Sequence, residues 1–223
     1  MLDAREKGGR SQSALAAILV IVGTRYFGCR TRTLLSLQLK HLFVHPNDLG
    51  PMGVSMYAKM GGTGGAGLKT QYKSGTGLDT LEYVMVENQN NLVLCFRFWL
   101  STVLLSEVDE RLVQAKVALD PSAALADQYL IARRTNHSTV AFNLPAFSDS
   151  VTTEKDDSMM RRWFKKFFSL HVGYHTGRQS FVARAALKNI CEMSVRLMMA
   201  LQESGDQVFN AYKHPEAEVR LCV

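Results

Sequence analysis

The sequence predicts a mainly α domain of the α+β class that carries one small antiparallel sheet. Three observations predict it. Long stretches, above all Asn91 to about Ala118, set apolar residues at helical spacing. Two short runs, Val54 to Ala58 and Leu81 to Val86, alternate as half-buried strands do, and a glycine-rich connection from Gly61 to Gly77 joins them. No internal repeat or low-complexity tract competes with a single globular unit.

In chain order, residues 1–11 are polar and charged and read as a disordered N-terminal tail. Ser11 or Ser13 can cap a helix whose run Ala14 to Val22 is apolar on every side. That run is about half the length a bilayer crossing needs, and it continues through Gly23-Thr24-Arg25 with no loop between, unlike a signal peptide. It reads as a buried helix, interrupted at Gly23 and Gly28. A second helix is expected from Arg30 to about His41, with Leu34, Leu35, Leu37 and Leu39 toward the core. His45 to Pro51 has the composition of a turn-rich loop. After the two strands, the helix from Asn91 should stop at Asp120-Pro121-Ser122, which caps a further helix from Ala123 to Arg134. Residues 135–157 read as loop, Ser158 to about Leu170 as a basic amphipathic helix, and about 176–188, 189–202 and 206–213 as three closing helical segments. The globular domain spans 12–214, with 215–223 as a C-terminal tail.

The 223 residues suffice for one domain with a real core. Apolar residues make up 47% and charged ones 21%, which excludes a disordered composition. The net charge of +6 admits a polyanionic partner without demanding one. Cys29, Cys95, Cys191 and Cys222 form no C-x-x-C pair, which argues against a zinc ribbon or a disulfide scaffold and fits a reducing compartment.

Gly62 to Thr70 approaches a phosphate-binding loop, but Leu68 stands between Gly67 and Lys69, where the lysine should follow the glycine directly. His171 and His175 have a zinc-compatible spacing, but no glutamate follows His171 and Gly173 weakens the helix. Neither a nucleotide, a metal nor another cofactor is expected. In the basic helix, Arg161, Arg162, Lys165 and Lys166 share a face opposite Trp163, Phe164, Phe167 and Phe168. Such a face grips DNA phosphates without reading sequence, or is simply solvated.

Three dispersed segments carry the chemistry. They are Gly28-Cys29-Arg30 with Leu34-Leu35-x-Leu37, the box Tyr174-His175-Thr176-Gly177-Arg178-Gln179-Ser180-Phe181, and Tyr212 beyond it. Singly, each has a plain structural explanation: a surface arginine, a helix-start histidine, a core-edge tyrosine. In this order and spacing they resemble the tyrosine recombinase (phage-integrase-like) catalytic domain, over about residues 12–214. Within that family, Gly50 to Gly77 and Glu82 to Leu105 look more like the Crypton-type recombinases of eukaryotic mobile elements.

The resemblance implies site-specific DNA cleavage and rejoining through a 3′-phosphotyrosine, for recombination or integration, without metal or nucleotide. Tyr212 would be the nucleophile, storing the phosphodiester energy in a covalent bond. Arg30 and Arg178 would hold the non-bridging oxygens with planar, always-charged forks. His175 would add a hydrogen bond or proton relay, and a lysine, Lys59 ahead of Lys69 with Lys73 a third candidate, would protonate the leaving 5′ oxygen. Two positions depart from the family: Thr33 replaces the common acid, and Gln202-Glu203-Ser204 replaces the usual histidine or tryptophan. A carboxylate there would repel phosphate, so a non-catalytic DNA-binding descendant of a mobile-element recombinase is the alternative. The implied partners are double-stranded DNA and further copies of the chain, as a tetramer on DNA. No membrane association is expected, and the implied location is the nucleus in a eukaryote, otherwise the cytoplasm.

Overall fold

The computed structural model describes residues 2–50, 53–60, 81–85, 88, 90–134, 139–146, 165 and 176–199. Helix α1 (Leu2–Phe27) begins upstream of both serines expected to cap it and runs through Gly23 without a break. A side chain at position 23 would collide with Leu34 and Phe96, so the glycine serves packing rather than termination. The stop comes at Gly28, whose φ of 64° lies in the left-handed region that glycine enters without strain. Its N–H still reaches back to the Thr24 carbonyl at 3.0 Å. Ala17, Leu19, Val20, Val22 and Phe27 are all buried, as expected for a helix that is apolar all round.

Helix α2 (Thr31–Leu35) is far shorter than the segment to His41 that the leucine pattern predicts. After Ser36 the backbone is claimed by another segment. Leu130 N–H donates to the Leu37 carbonyl at 2.9 Å, and Leu39 N–H donates to the Gln128 carbonyl at 2.9 Å. A single 3-10 turn, Leu39–His41, follows. The leucines still enter the core, Leu34 at 1% exposure and Leu37 at 0%, but from a kinked path.

Strands β1 (Leu42–Gly50), β2 (Gly53–Met60) and β3 (Leu81–Met85) form an antiparallel sheet in that order. The two predicted strands pair as expected, Met56 with Met85 through Met60 with Leu81. The predicted loop around Pro46 is instead part of β1, with a register irregularity between Val44 and Leu49. Proline has no N–H for a ladder, and an edge strand with a bulge is where a sheet tolerates it. Ala58, Met60, Tyr83 and Met85 face the core. Phe27 packs edge-on against Tyr83, 5.3 Å between ring centres, which seats the end of α1 on that face.

Helix α3 (Phe96–Lys116) crosses α1 through Phe96, Leu100 and Val103. Asp120 caps α4 (Pro121–Ala126) as expected, accepting from Ala123 N–H at 3.0 Å with proline in the first turn. The helix does not reach Arg134. Residues 132–134 form β4 (Ala132–Arg134), paired with β5 (Val140–Pro145) in a region read as loop. Arg111 explains this change. Its guanidinium donates to the Tyr129 carbonyl at 3.0 Å and the Leu130 carbonyl at 3.1 Å, carbonyls a continuing helix would have used. It also pairs with Glu107 at 2.7 Å and lies 4.2 Å from the centre of the Phe142 ring. Helices α5 (Thr176–Leu187) and α6 (Glu192–Met198) follow near their expected positions. Together these elements make an α+β fold of helices and two small antiparallel sheets.

Two predictions follow from buried polar groups. Arg111→Met removes the buried guanidinium that pairs with Glu107 and holds the Tyr129 and Leu130 carbonyls, and should cost about 3–5 kcal/mol in urea unfolding. A loss like that of an exposed pair, under about 1 kcal/mol, would show that the hub carries little. His41 is buried and its Nδ1 accepts from the Gln38 N–H at 3.0 Å. Burial, and then the charge of Lys40, holds its pKa below the ordinary 6.5, with Asp127 opposing. The unfolded histidine therefore takes up a proton that the folded one resists. Stability should be full above 6.5 and decline as pH falls beneath it, and His41→Gln should flatten that slope in unfolding measured down to about pH 5.

Candidate active site

The first arginine segment and the His-x-x-Arg segment meet where α5 lies across the end of α1. Gly177 makes the approach close: a Cβ there would collide with Thr24 Oγ1 and lie 3.0 Å from Arg25 N and Ile21 O. The Thr24 hydroxyl is turned back onto its own helix, donating to the Val20 carbonyl at 2.9 Å. One residue on, Arg25 Nε donates to Ser180 Oγ at 3.0 Å, and both side chains are buried. Phe181 lies over Gly28, where an added Cβ would sit 2.6 Å from the ring.

Arg178 enters the same interface at 1% exposure and donates from Nη2 to the Met199 carbonyl at 2.7 Å. It lies close enough to Cys29 for its charge to act on the thiol. Burial pushes the Cys29 pKa up to about 12, and the positive charge of Arg178 pulls in the opposite direction. Arg30, next in sequence, is half-buried and stands at the cap position of α2 with extended backbone. The structure thus brings the Arg30 and Arg178 segments together, though 148 positions of sequence separate the two arginines.

The remaining predicted residues divide into two groups. Lys59 lies on β2 in register with Glu82. Its neighbours Ala58 and Met60 face the core, so strand alternation turns Lys59 to the other face of the sheet, away from Phe27 and α1. The structure therefore does not bring Lys59 to the arginines. Lys69, Lys73, His175 and Tyr212 lie outside the described residues, as do Arg161, Arg162, Lys166 and the segment Gln202-Glu203-Ser204. Lys165 of the basic segment is helical and exposed.

Sequence reasoning missed Arg25 and Ser180. Arg25 extends a run that is buried all round, so a cation there had to meet a polar partner inside the protein. That was the available signal. Among the described residues no group of three or more His, Cys, Asp or Glu side chains is placed to hold a metal ion, and no helix is long and apolar enough to cross a membrane. No protein-family model matches the chain, and no curated protein matches it significantly.

The tight crossing predicts that Gly177→Ala destabilises the protein by about 1–3 kcal/mol, with partial recovery in the Gly177→Ala/Thr24→Ala double variant. Equal destabilisation in the single and double variants would remove Thr24 from the account. Thiol labelling provides a second check. Exposed Cys191 should react with a thiol reagent in the native protein, whereas buried Cys29 should react only on denaturation.

Proposed function

We infer that this chain is a tyrosine-recombinase-like domain that cleaves and rejoins DNA through a phosphotyrosine at Tyr212. The observation that supports this reading is the meeting of Gly28-Cys29-Arg30 with Gly177-Arg178-Phe181 across the end of α1. Those are the two segments whose arginines would share one phosphate. Arg30 would act as the accessible fork, and Arg178 as the inner one, approached from the Cys29 side. Together they would stabilise the charge gained by the pentavalent phosphorus. Tyr212 would leave its phenolate bonded to the 3′ phosphate while a lysine protonates the 5′ oxygen, and the reverse attack would regenerate the strand. Lys69 takes the lysine role in this reading, since Lys59 lies on the far face of the sheet. Arg161, Arg162, Lys165 and Lys166 would hold the flanking backbone.

One observation favours the second reading, a DNA-binding protein without cleavage. Arg178 is nearly sealed from solvent, and its Nη2 is held by the Met199 carbonyl, a structural use of a side chain that catalysis would have to expose.

Covalent trapping separates the two. The full chain is incubated with nicked duplexes from sequence flanking its own gene, then denatured and examined for a DNA adduct. Catalysis predicts an adduct at Tyr212, absent in Tyr212→Phe and reduced at least about 100-fold in Arg30→Ala, whose half-buried site should tolerate truncation. Salt-sensitive binding without any adduct would establish the second reading. In either case, Lys165→Ala should lower the slope of log affinity against log salt by about 1, uniformly across DNA sequences.

A further inference from the structure

Helix α3 has two unlike faces. Phe96, Leu100 and Val103 enter the core against α1, whereas Phe98, Leu105, Val108, Leu112 and Val113 are 40% to 74% exposed. Phe98, Leu105 and Leu112 recur every seven residues and therefore line one side of the helix, with Val108 completing the stripe between the two leucines. A cluster of neighbouring exposed apolar residues such as Leu105, Val108, Leu112, Val113 and Val117 marks an interaction surface, unlike apolar residues scattered singly.

The charges along the stripe identify what it fits. Asp109 and Lys116 are both exposed, and neither belongs to an ion pair among the described residues. They lie seven residues apart on the same side as Leu105 and Leu112. An acid followed by a base at this spacing is self-complementary only when two copies run antiparallel. A two-fold axis between Leu112 and Val113 then sets Asp109 of each copy opposite Lys116 of the other, with Leu112 facing Val113 and Val108 facing Val117, the exposed residue that caps the helix. Parallel pairing would oppose like charges.

We propose that the exposed C-terminal half of α3 is a homodimer surface, in which α3 packs antiparallel against α3 of a second copy through Val108, Leu112, Val113 and Val117, closed by two Asp109–Lys116 bridges. The surface lies opposite the face that meets α1, so pairing leaves the crossing of α1 and α5 uncovered. It requires no DNA and does not depend on the chemistry assigned to Tyr212.

Sedimentation velocity of the full chain without DNA tests this up to about 100 µM, where a dimer of ~10 µM dissociation constant is mostly assembled. The expected result is a concentration-dependent dimer that Leu112→Glu abolishes. Asp109→Lys should weaken it at least about tenfold, and Asp109→Lys/Lys116→Asp should recover it to within about threefold of the original. Circular dichroism confirms that these exposed substitutions leave the fold intact. A monomer throughout the range overturns the proposal. So does a dimer indifferent to Leu112→Glu, or a double variant no better than Asp109→Lys alone.

Discussion

The close crossing of α1 and α5 is the constraint on which the rest depends. It exists because position 177 carries no side chain, so that Thr24 and the α1 backbone occupy the space a Cβ would fill. Once the helices are this near, Arg25 and Ser180 come within hydrogen-bonding distance and Phe181 closes over Gly28. The left-handed turn at Gly28 then sends the chain into α2 with Arg30 at its entrance. Each step relies on the one before it, and a shift of α5 would disturb both arginine segments together.

Among the described residues, three arginines lie in the interior. Arg25, Arg111 and Arg178 are all buried, and each gives hydrogen bonds to backbone carbonyls or a hydroxyl. Burying a guanidinium is costly unless its donors are satisfied, and Arg111 uses its planar fork for two carbonyls and Glu107 at once. The consequences differ. Arg111 ties α3 to the segment after α4 and takes carbonyls that would otherwise extend a helix. Arg178 on α5 holds the Met199 carbonyl just after α6, so the last described residues are tied, together with the packing of Val195 and Met199 on Val182, to the helix that crosses α1.

Features set by local pattern were the most readable. Strands β2 and β3 follow from strict alternation, α4 from its Asp-Pro cap, and α3 from sustained helical spacing. The misreadings share a different cause. The segment after Leu35, the strand through Pro46 and the strands β4 and β5 are decided by which distant backbone groups accept or donate hydrogen bonds, and spacing within a window carries no information on that. The candidate site was legible in part for the same reason. Motif order located Arg30 and Arg178, whereas the buried Arg25–Ser180 bond and the placement of Lys59 on the outer face depend on register and packing between remote segments.

The Arg25–Ser180 bond spans 155 positions of sequence. At translation rates of about 5–20 residues per second, the end of α1 waits roughly 8–30 s before its partner on α5 has been made. During that interval the groove for Gly177 is empty, and a buried cation has no hydroxyl to meet. Closing so long a loop carries a large entropic penalty before any contact rewards it, so this crossing belongs to the slow part of folding. The nascent chain therefore presents the apolar end of α1 uncovered, the kind of surface that chaperones shield until α5 has been made.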